Sequence, residues 1–180
     1  MSRIAILLGL LVTQIPLTDP QFVSERVRLS ISSGQLRVHG TYHFVRGTSP
    51  GPFAILYPFI QDASQGPPEA IRVRIEGRPA SYDRREGNSI RVSLPFARGD
   101  APACTLDVEY VQRLTARRAS YLLTSTRLWE RPLEQATFEL ALADSLGTPR
   151  SEFPLERIGP GRYTFNKTDF LPERDLVIEW

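Results

Sequence analysis

Two histidines offer the first candidate chemistry, because they are the only ones in this 180-residue chain. His39 and His43 lie four residues apart in a stretch whose alternation predicts a strand, so both side chains project from the same face. At about 3.3 Å per residue the two positions stand about 13 Å apart. A zinc ion binds its protein ligands at about 2.0 to 2.1 Å. The spacing therefore indicates a solvated strand face and predicts no metal site.

The remaining residues give little indication of a catalytic nucleophile or of a cofactor-binding motif. Cys104 is the only cysteine, and from it onward apolar residues alternate with polar ones, so it should face the core as a small hydrophobe. The sequence contains no GxSxG motif and no glycine-rich phosphate loop. Paired carboxylates for glycoside hydrolysis would have to be assembled from distant acids, and no feature of the sequence selects a pair. We therefore predict no catalytic residue and no cofactor.

A basic segment with two aromatic residues is the strongest candidate for binding. Residues 112–133 contain five arginines against the single acid Glu130, together with Tyr121 and Trp129. An exposed tryptophan beside arginines can stack on a sugar ring, and the arginines can bind an anionic polymer. In the alternative interpretation, the aromatic residues pack in the core and the arginines pair with acids from elsewhere. The candidate ligand-binding or partner-binding residues are Arg113, Arg117, Arg118, Arg127, Trp129 and Arg131.

The charge of the chain argues against a nucleic-acid partner. The formal net charge is +2, and the basic residues are 21 arginines and the single Lys167, scattered along the chain. Nucleic-acid modules usually cluster their positive charge on one face or along one helix. We therefore predict no nucleic-acid binding.

The elements that must position these residues are strands. In residues 71–75 the apolar Ile71, Val73 and Ile75 alternate with two arginines, so one face should be buried and the other wetted. The sequence Glu76-Gly77-Arg78-Pro79 that follows predicts a tight turn.

The same pattern recurs through the chain. Val23, Val27, Leu29 and Ile31 should share one buried face, and Ser33-Gly34 should join this strand to residues 36–45 as a hairpin. Further strands are predicted at residues 53–59, 90–94, 104–110, 120–126, 136–142, 162–165 and 176–180. About ten short strands with one polar face predict an all-β fold, an antiparallel β-sandwich forming a single domain over residues 21–180.

The N-terminal segment, residues 1–20, differs from the rest. Arg3 precedes an apolar run over residues 4–12. As a helix this run would span roughly 14 Å, about half of a bilayer core of about 30 Å. That length suits a signal peptide better than a membrane anchor and predicts export to the periplasm or the extracellular space. Membrane contact is expected only if the segment is not cleaved, and a buried first strand is the alternative.

A resemblance supports this interpretation. The strand ending in Tyr57-Pro58-Phe59, the loop and strand that follow, and the stretch from Tyr121 to Trp129 resemble uncharacterised secreted bacterial β-sandwich domains of unknown function. More distantly, the layout is similar to the N-terminal domain of inter-alpha-trypsin inhibitor heavy chains. The resemblance implies a β-sandwich exported to the cell envelope, and it carries over no catalytic residue.

These observations lead to one functional expectation with two alternatives. We expect an exported, non-catalytic β-sandwich module, not an enzyme, that binds a protein partner or an anionic surface polymer in the cell envelope. The first alternative is a carbohydrate-active hydrolase or lyase that uses scattered carboxylates. The second is self-assembly through exposed strand edges, whose protection the sequence does not reveal.

Overall fold

A computed structural model of the chain describes residues 20–47, 53–85, 88–96 and 102–180. The signal-like segment therefore lies outside the described residues, apart from Pro20. Within the described ranges, no helix has the length and apolar character that a bilayer crossing requires.

The regular secondary structure of the described residues is almost entirely β-strand, which confirms the predicted fold class. Two short 3-10 helices, Thr124–Trp129 and Asp144–Leu146, interrupt the strands. The thirteen strands are β1 (Gln21–Ser32), β2 (Gln35–Val45), β3 (Phe53–Pro58), β4 (Glu69–Ile75), β5 (Arg78–Pro79), β6 (Asp83–Arg85), β7 (Ser89–Leu94), β8 (Ala103–Arg113), β9 (Arg118–Tyr121), β10 (Leu133–Leu142), β11 (Glu156–Gly159), β12 (Arg162–Phe170) and β13 (Leu176–Glu179).

The strands form one large sheet and two small ones. The large sheet has eight strands in the order β11-β12-β10-β1-β2-β8-β4-β5, and the small sheets have the orders β3-β7-β6 and β13-β9. Strands β1 and β10 pair in parallel, from Ser24 opposite Gln135 to Ile31 opposite Leu142. The other strand pairs of the described chain are antiparallel, as the short polar-faced strands predicted.

Both small sheets cover the same face of the large sheet. Tyr57 of β3 packs on Tyr42 of β2 with ring centroids 5.4 Å apart. Tyr121 of β9 packs on Phe138 of β10 with centroids 6.4 Å apart. This two-layer arrangement is the predicted antiparallel sandwich, and its core lies between the layers.

The opposite face of the large sheet carries cross-strand polar pairs. Arg28 Nε lies 3.2 Å from Glu139 Oε2, and Arg74 Nη1 donates to Glu109 Oε1 at 2.7 Å. The two histidines lie on this face, where His39 Nε2 is 3.5 Å from Asp107 Oδ1 and His43 Nδ1 is 3.2 Å from the Thr105 hydroxyl. The alternation of β2 thus places both histidines on the outer face of the large sheet, as their spacing predicted.

Two hairpins turn on residues with positive φ. Ser33 and Gly34 have φ values of 49° and 70° between β1 and β2, and Glu76 and Gly77 have values of 50° and 72° between β4 and β5. Two-residue loops with positive φ at both positions are type I′ turns, whose twist matches that of the flanking strands. The turn predicted at Ser33-Gly34 is confirmed. The second turn is confirmed at Glu76-Gly77, whereas Arg78 and Pro79 of the predicted turn belong to β5.

The strand predicted over residues 120–126 is wrong beyond Tyr121. Strand β9 ends there, and a 3-10 helix begins at Thr124. Asp175 Oδ1 accepts hydrogen bonds at 2.9 Å from the backbone N–H groups of both Leu123 and Thr124. This side chain lies 51 residues away in sequence from Thr124, so the local pattern did not reveal the turn.

Candidate functional site

A small cavity lies between the large sheet and the two small sheets. It has a volume of about 60 Å³ and is open on one side. We call it the aromatic pocket, because six of its thirteen lining residues carry aromatic rings, which surround one carboxyl group. Its principal lining residues are Phe22, Glu25, Tyr42, Phe44, Tyr57, Tyr121 and Trp129.

Glu25 is the acidic group of the aromatic pocket. It lies on β1, opposite Tyr42 of β2 and Ala136 of β10, and only 4% of it is exposed. Its Oε1 atom is buried and has no hydrogen-bond partner among the described residues. Burial raises the pKa of this carboxyl from 4.5 to about 8, because a charge without a partner is poorly solvated there. Because no cation among the described residues lines the pocket beside it, Glu25 is mostly protonated at neutral pH.

Three tyrosine hydroxyl groups connect the layers beside Glu25. The Tyr42 hydroxyl lies 2.6 Å from that of Tyr57 and 2.7 Å from that of Tyr121. Burial is the main cause that raises the pKa of each of these tyrosines well above 10, so all three are neutral at physiological pH. The cluster therefore joins β2, β3 and β9 through hydrogen bonds without adding charge to the pocket.

The position of the Tyr42 ring depends on a glycine two residues earlier. A Cβ atom added to Gly40 would lie 1.9 Å from the Tyr42 hydroxyl oxygen. The ring can therefore lie back along β2 only because position 40 has no side chain.

We expect Gly40→Ala to displace Tyr42 and break the tyrosine cluster. Overpacking of this kind costs about 1 to 3 kcal/mol, and the lost buried hydrogen bonds add to that cost. Urea denaturation should therefore show a clear loss of stability. Gly159→Ala is the matched control, because the nearest atom to its added Cβ is 4.0 Å away. Equal stability of the two variants would contradict the assigned role of Gly40.

A wider groove adjoins the pocket. It has a volume of about 840 Å³ and shares Phe22, Ile55, Leu56 and Trp129 with the pocket wall. Trp129, at the end of the first 3-10 helix, packs against Phe22, Phe44 and Phe53 with centroid distances of 5.9, 5.5 and 6.1 Å. The groove is further lined by Pro20, Gln21, Phe53, Ala54, Leu128, Glu130 and Arg131.

The six residues predicted to bind a partner do not form one cluster around a shared cavity. Trp129 lines both the pocket and the groove, and Arg131 lines the groove. Arg117 donates to the backbone carbonyl oxygens of Trp180 at 2.6 Å and Leu146 at 2.7 Å, and Arg118 lies 3.7 Å from Glu179. Arg113 and Arg127 are exposed. The predicted partner-binding role of the arginines stays a prediction.

Sequence reasoning missed Glu25, although Trp129 of the same pocket wall was among the predicted binding residues. The buried face of β1 was predicted from Val23, Val27, Leu29 and Ile31, without the acid between them. The structure places Glu25 on that same inward face, with Val27, Leu29 and Ile31. An acid on an otherwise apolar strand face was the available signal, because carboxylates are rarely buried without a partner.

The described residues do not fit a metal centre. Across the four described ranges, no group of three or more His, Cys, Asp or Glu side chains could hold an ion. Cys104 is 2% exposed, as the alternation of apolar and polar residues from this position onward predicted. Burial raises the pKa of its thiol to about 11. A metal-dependent or thiolate-dependent step therefore has no support from this part of the chain.

Comparison with known proteins shows a likeness of fold. The sequence matches no protein-family model, and no curated protein is significantly similar to it. Among solved structures, an M1 zinc metallopeptidase from Deinococcus radiodurans is 13% identical with a TM-score of 0.54, over 89% of this chain and 42% of that one. A two-domain M1 zinc metallopeptidase bound to L-tryptophan is 12% identical with a TM-score of 0.55, over 91% and 43%. Leukotriene A4 hydrolase from Saccharomyces cerevisiae is 10% identical with a TM-score of 0.55, over 89% and 29%.

These likenesses correct the functional expectation. The chain spans less than half the length of each of these enzymes, and its fold is similar to part of each. The expectation of a non-catalytic binding module is therefore wrong, because the same architecture forms part of peptidases and hydrolases. Its export to the cell envelope stays a prediction. The prediction that the chain is not an enzyme is likewise unsupported. The sequence motifs on which it rested are local, whereas sites in sandwiches are assembled from separate strands.

Proposed function

We propose that this chain is the peptide-binding β domain of a peptidase-related enzyme, whose hydrolytic groups lie outside the described residues. The observation that carries the proposal is the groove of about 840 Å³ that adjoins the aromatic pocket. The likeness to parts of M1 zinc metallopeptidases supports the peptidase relationship.

Strand β3 supports a peptide as the occupant of the groove. It is an edge strand of its sheet, paired with β7 on one side, and four of its residues line the groove: Phe53, Ala54, Ile55 and Leu56. The unpaired edge of a strand offers backbone donors and acceptors to an extended peptide. A peptide lying along β3 would then place a side chain or terminus at the pocket.

The groove also has the mixed character that peptide binding requires. Leu56 is 64% exposed and Leu128 is 84% exposed, so both offer apolar surface to a ligand. Glu130 and Arg131 add one charge of each sign to the same wall. Peptide-binding sites combine apolar pockets with a few polar groups in this manner.

Tryptophan fluorescence provides the test. The chain has two tryptophans, so a Trp180→Phe background leaves Trp129 as the only indole reporter. Blocked tripeptides Ac-Ala-X-Ala-NH2, with X as Lys, Leu or Glu, would be titrated into the protein. We expect saturable binding of at least one peptide, weakened at least tenfold by Leu56→Glu.

The matched control for this titration is Ile158→Glu. Ile158 on β11 is also an exposed apolar strand residue, 61% exposed, and it does not line the groove. Its substitution should leave peptide binding unchanged. The proposal is overturned if no peptide binds, or if both substitutions have the same effect.

A further inference from the structure

We infer that the aromatic pocket binds an alkylammonium group, with the Glu25 carboxylate as its counter-ion and the surrounding rings as its walls. This inference rests on the proposed function, because it names the chemical group that the same site would receive. Lysine side chains and other primary amines on a short alkyl chain belong to this class of ligand.

The first argument is the unsatisfied oxygen of Glu25. This side chain is buried in a wall of rings, and its Oε1 atom lacks a hydrogen-bond partner among the described residues. Buried polar groups are almost always hydrogen-bonded, so an exception calls for a bound water, a bound ion or a functional role. An ammonium group supplies both the missing donors and the missing opposite charge.

The second argument is the chemistry of the walls. Phe22, Phe44, Tyr57 and Trp129 contribute rings to the cavity, and Glu25 is the only charged residue among the described residues that line it. Aromatic faces attract cations through their quadrupole, most strongly where water is excluded. The same walls repel anions. The lining therefore selects for positive charge twice, through the carboxylate and through the rings.

The third argument is size. A volume of about 60 Å³ holds a small head group, whereas the adjoining groove of about 840 Å³ has room for the rest of a ligand. A neutral alcohol of the same length would fill the pocket and could donate one hydrogen bond to the Glu25 oxygen, but it brings no opposite charge. Because charge-assisted hydrogen bonds are about twice as strong as neutral ones, the site should discriminate against the neutral analogue.

Binding should also displace the proton of Glu25. The titratable groups that face it are Tyr42 of β2, Tyr57 of β3 and Tyr121 of β9, and all of them stay neutral near pH 7. Within the described ranges, no charged side chain other than Glu25 lines the pocket. An entering ammonium therefore forms its ion pair with Glu25 alone, and the proton of the carboxyl group leaves to solvent.

The experiment compares two probes with the same number of heavy atoms, n-butylammonium and 1-butanol. Each is titrated into the Trp180→Phe protein while Trp129 fluorescence is recorded. We expect saturable binding of butylammonium, with 1-butanol at least tenfold weaker. Glu25→Gln should remove most of this preference, whereas Ile158→Gln should not change it. A thermal melt of each variant establishes that it is folded.

The possible results separate this inference from the proposed function. Equal binding of butylammonium to the protein and to folded Glu25→Gln would overturn the inference, and so would equal binding of amine and alcohol. If the tripeptides bind while butylammonium does not, the ammonium site is excluded and the peptide-binding function stands. If butylammonium alone binds, the site is supported and the peptide-binding function fails. Failure of both probes overturns both.

Discussion

Glu25→Gln is expected to abolish much of the pH dependence of the unfolding free energy between pH 4.5 and pH 8. The carboxyl has a pKa of about 8 in the folded protein against 4.5 in its ordinary environment. Between these values the folded protein holds a proton that the unfolded chain has released. The contribution of this group to stability is therefore fully present below pH 4.5 and is lost as the pH rises to about 8, at roughly 1 to 1.5 kcal/mol per pH unit. The amide introduced by the substitution does not titrate, so the variant should lack this slope.

The carboxyl groups with lowered pKa values do not obscure this effect. Hydrogen bonds from Ser64 lower the pKa of Asp62, and the hydrogen bond from Arg74 lowers that of Glu109. Such groups stabilise the fold above their unfolded pKa and lose that effect as the pH falls. Their contribution to the unfolding free energy thus changes at lower pH than that of Glu25.

Urea denaturation followed by circular dichroism at pH 5, 6, 7 and 8 measures the slope for both proteins. Glu134→Gln is the control, since Glu134 is exposed on the neighbouring β10. This control should keep the slope of the original protein. Parallel pH profiles for Glu25→Gln and the original protein would show that the Glu25 carboxyl titrates normally in the folded state.

Val73→Asp is expected to prevent folding altogether. Val73 is 4% exposed in the centre of β4, opposite Val108 of β8. An unpaired carboxylate there costs several kcal/mol, against a total stability of about 5 to 15 kcal/mol for a typical domain. Circular dichroism and thermal melting should show no cooperative transition.

The control for this experiment places the same charge on an exposed strand position. Leu56→Asp introduces it on β3 at a side chain that is 64% exposed. This variant should melt within a few degrees of the original protein, since surface substitutions usually change stability by less than about 0.5 kcal/mol. Cooperative melting of Val73→Asp would show that the assigned face of β4 is incorrect.

Where apolar and polar residues alternate along a strand, the sequence was enough to predict which side chain is buried. The alternation around Val73 predicted its burial, and Ser33-Gly34 predicted the first hairpin; the structure has both. These features are local, because period-2 patterning and turn residues act within a few positions. The order of the strands in the sheets depends on contacts between distant segments, and no local pattern encodes it.

The candidate site was less predictable for a related reason. Its residues come from β1, β2, β3, β9 and the first 3-10 helix, so no contiguous motif marks it. The arginines around Trp129 were predicted to bind a partner because they lie close together in the sequence. The inward position of Glu25 on β1 was also open to detection, but recognising it required each position of the strand to be assigned to a face.

The parallel pairing of β1 with β10 has a consequence for the order in which the protein can fold during synthesis. Arg28 and its partner Glu139 are 111 residues apart in the chain. At about 5 to 20 residues per second, a ribosome needs roughly 6 to 20 s to cover that interval. Throughout that time one edge of β1, a central strand of the finished sheet, has no neighbour. The nascent chain therefore exposes an unpaired strand edge until β10 has been synthesised, and during that interval chaperone binding competes with aggregation.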